Sequence, residues 1–280
     1  MRCKIILVFA LIFGVFTVGI QAQDADVAYN TALERIEAAR INQSVHLDLA
    51  ELVEVNLSFT GQTTIPPEIL SLPNLQTLNM SGNQLTSLPD NIIKLAHLRK
   101  LDLSGNEFTS LPLEVTQMPG LIDLNLSLSH FSDLPRELSN LSGLEALRLN
   151  RNYMTTIPDV VWELPNLRIL ELNSNELTHI PPEIVSLPKL EVLSVHGNLL
   201  TGFPPEIGQL TQLRELHANY NQLTSFPSEI GMLKNLTYLV LWDNEITDLP
   251  NEFAQLRNLT HLEIPQNPLT EFPPELTHLT

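Results

Sequence analysis

The amino-acid sequence predicts an α/β solenoid, in which about ten short parallel strands form a concave sheet along a stack of repeats. Asparagines recur every 23 residues on a single grid that runs from Asn83 to Asn267. The grid extends one step back to Thr60, and a proline follows each of its positions by six residues, from Pro66 to Pro273. Leucine and polar residues alternate just before each position, as they do in a strand with one buried face. A period of this length indicates a repeat array rather than a single globular core.

Residues 1–23 have the features of a secretory signal peptide. Arg2 and Lys4 precede an uncharged, mostly apolar run from Ile5 to Ile20, and Ala22 is the residue expected before the cut. The run is short for a membrane span, which needs about 20 residues. We therefore expect cleavage and export, with no membrane insertion afterwards; an uncleaved membrane anchor is the alternative.

Residues 24–49 are predicted to form an N-terminal helical cap, because an open repeat stack would expose its apolar core. The stretch from Asp24 to Arg40 has the spacing of an amphipathic helix. Whether Val45 to Leu49 belongs to this cap or forms a first irregular strand stays open. The sequence stops at Thr280 inside a repeat, so we expect either a partner that covers this end or a final repeat that frays.

Residues 50–280 are predicted to form the array itself. In each repeat, an apolar pair such as Leu78 and Met80 places its side chains on one face of a short strand. Parallel pairing of successive strands needs a long return path between them. A segment such as Pro181 to Leu187 supplies that path, and its isoleucine and leucine are expected to close the core.

The repeated pattern Leu-x-x-Leu-x-Leu-x-x-Asn-x-Leu resembles the leucine-rich repeat family over about residues 50–280. The 23-residue length and the Leu-Pro-x-Glu-Ile sequence resemble its bacterial and Ras-group subclass more than the plant extracellular form. The resemblance implies a structural ladder of buried asparagine amides that bond neighbouring turns. The ladder residues would be Asn83, Asn106, Asn152, Asn175, Asn198, Asn221, Asn244 and Asn267. Thr60 and Ser129 occupy two positions of the same grid and can make only part of this network.

The charge of the chain limits its partners. Lysine and arginine number 15 against 32 aspartate and glutamate residues, for a net charge of −17. Nucleic-acid binding depends on basic residues that displace counterions, so DNA and RNA are excluded as expected partners. Docking on anionic lipid is disfavoured for the same reason. The single cysteine, Cys3, excludes a disulfide framework and a cysteine-based zinc site within the chain.

The sequence contains no motif that predicts catalysis or cofactor binding. Nucleophile-elbow, phosphate-loop, dinucleotide, zinc-protease and calcium-loop patterns are absent, so we expect no enzyme activity, no cofactor and no catalytic residue. His196 and His217 lie on adjacent turns, and His261 and Glu263 share one strand face. No third ligand is fixed near either pair, so scattered surface histidine is a better interpretation than a metal site.

Residues that alternate with the buried leucines line the concave face and form three columns at the 23-residue period. The C-terminal half of this face carries a large aromatic and apolar group. Its members are the predicted partner-binding residues Tyr238, Val240, Trp242, Tyr220, His217, His196, Ile169 and Val192. Exposed amphipathic aromatic residues are common anchors of protein recognition. The alternative is that strands favour aromatic and β-branched residues in any case.

These observations predict a non-enzymatic, exported interaction module that binds a protein or peptide on the C-terminal half of its concave face. The prediction rests partly on analogy between folds. A carbohydrate-binding or structural cell-envelope protein and an enzyme inhibitor are the alternatives. The acidic surface is explained either by solubility or by steering of a basic partner into the groove.

Overall fold

The computed structural model describes residues 52–270. The predicted signal peptide, the predicted helical cap and the last repeat segment after residue 270 lie outside this range. The described chain contains ten short strands in sequence order. They are β1 (Glu54–Asn56), β2 (Thr77–Asn79), β3 (Lys100–Asp102), β4 (Asp123–Asn125), β5 (Ala146–Arg148), β6 (Ile169–Glu171), β7 (Val192–Ser194), β8 (Glu215–His217), β9 (Tyr238–Val240) and β10 (His261–Glu263).

The return path between successive strands contains a 3-10 helix rather than an α-helix. The segments are Ile69–Ser71, Asp90–Lys94, Val115–Gln117, Arg136–Asn140, Asp159–Glu163, Pro182–Ser186, Pro205–Gln209, Ser228–Met232 and Asn251–Gln255. Segments of three to five residues suit the tighter 3-10 geometry, which occurs mainly in short pieces. Most of them follow a proline whose extended backbone ends the preceding stretch, as Pro181 does. Apolar residues such as Ile184 then point into the core and are fully buried.

All ten strands belong to one parallel sheet in the order β1 to β10, as the sequence predicts. The register between neighbours is a constant shift of one repeat, as in the pairing of Thr77 with Lys100. The middle residue of each strand faces inward, and those of β1 to β9 are buried. The first strand residues form the first column of the concave face, and the third strand residues form the second. The third column contains the residues two positions after each strand, from Ser58 to Pro265.

One continuous apolar core runs through the stack. The inward leucines of neighbouring strands contact one another, and Phe108, Phe131 and Phe253 are among the largest fully buried side chains. Phe203 and Phe226 stack with their ring centroids 5.5 Å apart. Burying one such side chain fully stabilises the fold by about 1.5–3 kcal/mol. Because each turn buries its apolar face only against its neighbours, stability accumulates along the array.

A ladder of side-chain amides connects the turns beside the strands. The Asn106 Nδ2 donates to the carbonyl oxygens of Met80 at 3.0 Å and Leu103 at 2.8 Å. The Asn106 Oδ1 accepts the backbone N–H of Leu85 at 3.0 Å. Amides of this kind satisfy buried backbone groups that no strand or helix partner reaches. Equivalent bonds occur at Asn83, Asn152, Asn175, Asn198, Asn221, Asn244 and Asn267.

The two grid positions without asparagine differ in how well they replace it. The Thr60 hydroxyl donates to the carbonyl oxygen of Leu57 at 2.7 Å. The Ser129 hydroxyl makes only a long bond of 3.4 Å, to the carbonyl oxygen of Ser127. Within residues 52–270, the buried backbone N–H of Phe108 has no acceptor, because Ser129 cannot reach it as an asparagine would. The turn of Ser129 is therefore the weakest step of the ladder.

The residue just before every grid position has a left-handed backbone conformation, with positive φ. Glycine occupies three of these positions, where positive φ carries no steric cost. Tyr220, at φ 52°, shows that bulky residues also occur there. The complete set is Phe59, Gly82, Gly105, Leu128, Arg151, Ser174, Gly197, Tyr220, Asp243 and Gln266.

We predict that Ser129→Asn raises the free energy of unfolding by about 1 kcal/mol, the net value of a buried hydrogen bond. The new amide would accept the Phe108 N–H and donate to neighbouring carbonyls. The measurement is the midpoint of urea unfolding, monitored by circular dichroism. Asn175→Ser is the matched control and should lower stability by about 1–3 kcal/mol. A Ser129→Asn protein no more stable than the wild type would show that the site is too small for the amide.

Candidate functional site

In the N-terminal part of the concave face, polar side chains form hydrogen bonds with the nearby backbone. Asn79 Oδ1 accepts the N–H of Ser81 at 2.8 Å, and Asp102 Oδ1 accepts the N–H of Ser104 at 2.9 Å. Asn56 and Asn125 make the same bond two residues ahead. These are turn-forming side-chain bonds that end each strand locally. One side-chain oxygen on each of β1 to β4 therefore serves the fold by closing the local turn.

An arginine-centred network occupies the middle of the face. Arg148 in β5 makes an ion pair with Asp123 and donates from Nε to Glu171 at 3.2 Å. The other oxygen of Glu171 accepts the amide of Asn150 at 2.7 Å. These side chains are about three-quarters buried, with 24–26% of their surface exposed for the charged members. The arginine offsets one of the two negative charges, and the network lies between the two halves of the face.

A second row of charges lies one residue before the strands. Arg168 contacts Glu191 at 2.9 Å and Glu145 at 3.4 Å, and Arg214 reaches Glu191 at 3.8 Å. Hydrogen bonding and the charge of Glu191, with help from Glu145, raise the pKa of the Arg168 guanidinium. The pairs are solvent-exposed, and exposed pairs contribute little stability individually. Their alternation along the edge favours one register between the turns.

The C-terminal half carries a cluster of rings, hereafter the aromatic cluster, formed by His217, Tyr220, Tyr238 and Trp242. Tyr220 and Trp242 meet edge to face, with centroids 4.2 Å apart and planes at 61°. The Tyr238 ring lies 5.4 Å from His217 and 5.1 Å from His261. Such contacts hold aromatic side chains in fixed orientations. The parallel register places Tyr238 beside Glu215 and His217 beside Val240.

Two carboxylates orient the rings of this cluster. The Tyr238 hydroxyl donates to Glu263 Oε1 at 3.0 Å, and His217 Nε2 lies 3.2 Å from Glu215 Oε2. The hydrogen bond to Glu263, with its negative charge, raises the pKa of the Tyr238 hydroxyl. The hydroxyl therefore remains a donor at neutral pH, and both carboxylates present negative charge beside the rings.

The structure brings together only part of the predicted partner-binding group. Tyr220 is 48% exposed, and His217, Tyr238 and Trp242 are half-buried with accessible ring surface. Val240 belongs to the same turn, but its side chain is 5% exposed. It is shorter than its register partners and supports the surface from below, so its placement among the contact residues needs correction.

Ile169 and Val192 are paired in neighbouring strands and stand apart from the aromatic cluster. Glu215 separates Val192 from Tyr238 in the first column. The pair instead lines a shallow depression of about 240 Å³, beside the charge row of Arg168 and Glu191. The predicted continuous patch is thus divided by a carboxylate.

His196 is half-buried at the edge of the aromatic cluster. Both ring nitrogens are buried, and neither has a hydrogen-bond partner among the residues that the structure describes. Burial is the main cause that lowers the pKa of its imidazole, and the nearby His217 and Arg151 add to the effect. The ring is therefore neutral at physiological pH and offers one donor and one acceptor.

Sequence reasoning missed two features of the polar pattern. Asn219 lies between His196 and Trp242 in the third column and is almost entirely buried. The sequence shows that Asn219 belongs to this column, but only the structure shows that its side chain has no hydrogen-bond partner. A second amide row also links turns, because Asn166, Asn235 and Asn258 each donate to a carbonyl oxygen of the preceding turn. The recurring Pro-Asn-Leu, Lys-Asn-Leu and Arg-Asn-Leu sequences are the signal that could have found it.

No metal or membrane feature adds to this surface. Across residues 52–270, no three or more histidine, cysteine, aspartate or glutamate residues converge as a possible metal site. The same range holds no helix with the length and apolar character that crossing a bilayer requires.

Parallel strands stacked at a constant repeat, with 3-10 returns and an asparagine ladder, define a solenoid repeat protein with an open concave face. Family models described as "Leucine rich repeat" match residues 50–108, 96–154, 119–177 and 165–223. A model described as "Leucine-rich repeat region" matches residues 206–280. The chain belongs to the leucine-rich repeat family. No curated protein sequence matches it significantly.

Solved structures share this fold. A leucine-rich repeat protein from Leptospira interrogans is 39% identical with a TM-score of 0.69, over 82% of this chain and 64% of that one. The Arabidopsis receptor kinase HAESA, in complex with the peptide hormone IDA and a co-receptor, is 28% identical with a TM-score of 0.70. That alignment covers 88% of this chain and 46% of the kinase chain. This chain therefore spans less than two thirds of the length of either relative.

We predict that His196 makes the protein sensitive to mild acid. Because its pKa is lowered in the folded state, the unfolded state binds the proton more tightly, and stability falls as pH drops through the ordinary histidine range. His196→Phe should lose less Tm than the wild type between about pH 7 and about pH 5. His97→Gln, at an exposed site, is the control and should follow the wild type. Parallel curves for wild type and His196→Phe would contradict the prediction.

Proposed function

We propose that the protein is a non-enzymatic, exported interaction module that binds a protein or peptide on the C-terminal half of its concave face. The observation that carries this proposal is the division of the face. The third residue of each of β1 to β4 closes a local turn with a side-chain oxygen, whereas Tyr220, Tyr238 and Trp242 present oriented ring surface.

The aromatic cluster has the properties of a recognition site. Its rings are held by edge contacts and by the bond from Tyr238 to Glu263, so little conformational freedom is lost when a partner binds. Tyrosine and tryptophan are enriched among residues that dominate binding energy. Half-buried rings above a buried Val240 also form a firm surface that a partner can pack against.

The solved relatives support binding as the general role. HAESA was solved with a peptide hormone, and the Arabidopsis GASSHO1/SCHENGEN3 ectodomain was solved with CASPARIAN STRIP INTEGRITY FACTOR 2. Export is supported by the positively charged, then apolar character of residues 1–23. The Leu-Pro-x-Glu-Ile sequence and the likeness to the Leptospira interrogans protein support a bacterial type of array. A periplasmic, cell-surface or secreted location follows from this proposal.

We predict that Tyr220→Ser, Tyr238→Ser and Trp242→Ser together remove partner binding. Residues 24–280 serve as bait for native envelope and extracellular extracts. Each lost aromatic anchor costs about 2 kcal/mol or more, so recovery of the partner should fall below detection. Val240 is left unchanged, because its replacement would open a cavity in the support of the rings.

The matched control replaces Phe59, Tyr153 and Leu199 by serine. These exposed side chains lie outside the three concave columns, so the control bait should retain the partner. Circular dichroism shows whether all baits fold. Equal recovery by the wild-type and aromatic-cluster baits would contradict the proposed site. A bound component that survives protease treatment would instead favour the carbohydrate alternative.

A further inference from the structure

A chain of hydrogen bonds follows the third column through the middle of the array. The backbone N–H of Asn150 donates to Ser127 Oγ at 3.1 Å. The N–H of Asn173 donates to Asn150 Oδ1 at 2.8 Å, and the N–H of His196 donates to Asn173 Oδ1 at 3.0 Å. In each step, a side-chain oxygen of one turn accepts the backbone N–H of the next turn.

The series stops at His196. In the range 52–270, the backbone N–H groups of Asn219 and Trp242 have no acceptor. The amide side chain of Asn219 makes no hydrogen bond to the described chain, although this residue is only 9% exposed. Both ring nitrogens of His196 are buried and unpartnered as well. Three adjacent turns therefore hold unused donors and acceptors in one row.

The His196 nitrogens depart from the usual pairing of buried polar groups, whereas the side-chain polar atoms of Asn219 and Trp242 are not buried and stay open to a ligand. The Asn219 amide offers two donors and an acceptor, and the Trp242 indole offers a donor. A polypeptide main chain alternates N–H donors and C=O acceptors, so it can pair with such a row. The row borders the aromatic cluster directly, since Trp242 belongs to both.

Charge defines the side chain that such a segment should carry. The three columns of β7 to β10 contain Glu215 and Glu263 and no lysine or arginine. The whole chain carries a net charge of −17, which attracts basic partners. Both carboxylates lie beside Tyr238. Glu215 is its neighbour in the strand register, and Glu263 accepts the hydrogen bond of its hydroxyl. A cation over an aromatic ring is stabilised by the negative ring face.

We propose that Asn219 and Trp242 bind the main chain of an extended segment of a partner protein that carries lysine or arginine. Its basic side chain lies on the aromatic cluster between Glu215 and Glu263. This inference rests on the proposed function and names the chemistry of its partner. Asn219 is a specificity-determining residue, because it can pair with a peptide amide without contributing charge.

The test uses a blocked, fluorescein-labelled dodecapeptide of alternating lysine and threonine, and residues 24–280 of the protein. Fluorescence anisotropy gives Kd at physiological ionic strength. The chain has two tryptophans, so Trp162→Phe leaves Trp242 as the only indole and its emission as a local readout. Two further probes replace lysine by glutamate or N-methylate alternate main-chain amides.

We expect Asn219→Leu to weaken binding of the lysine peptide at least tenfold, or about 1.4 kcal/mol. N-methylation should weaken binding to the wild type similarly, and the glutamate peptide should not bind. Thr77→Ala, on the concave face of β2, is the matched control and should leave Kd unchanged. Because Asn219→Leu alters no charge, non-specific attraction to the acidic protein would be equal in both variants.

Several results would overturn the inference. One is an unchanged Kd for Asn219→Leu, and another is equal binding of the N-methylated peptide, which needs no variant to fold. Equal binding of the lysine and glutamate peptides would overturn the basic specificity. If no peptide binds while extract partners still depend on Tyr220, Tyr238 and Trp242, this inference fails and the proposed function stands.

Discussion

The side-chain amide of the ladder asparagines is the interaction on which the rest of this structure depends. Asn106 and its equivalents bridge carbonyls of two turns and accept an N–H from the earlier one. An amide is the only uncharged side-chain group that can both donate twice and accept in this space. Repeating it every 23 residues fixes the register, and the register fixes which residues share a column.

The function of the surface follows from which groups the side chains of each column bond. Asn79 and Asp102 close their own turns, and Arg148 connects two carboxylates in the middle of the face. The bonds from the third column to the next backbone N–H end at His196, and aromatic rings occupy the face beyond it. Recognition is therefore favoured where the fold no longer needs the polar groups for itself.

Much of this architecture could be predicted from the sequence, because periodicity alone defines strands, register and columns. The ten strands and the pairing of Tyr238 with Glu215 followed directly from the 23-residue shift. The exposed fraction of a side chain did not follow, because it depends on how long the neighbouring side chains are. Val240 is buried for this reason. The unused bonds of Asn219 also escaped prediction, because a pattern shows which groups are present but not where they point.

The serine at position 129 has a consequence for how the molecule comes apart. In a linear stack, each turn is held only by its neighbours, so one weak junction acts as a boundary between cooperative blocks. The unpaired N–H of Phe108 marks that boundary between the turns of β3 and β4. The aromatic cluster lies wholly on the C-terminal side. A bound partner would thus protect the later block from hydrogen exchange and leave the earlier block free to open alone.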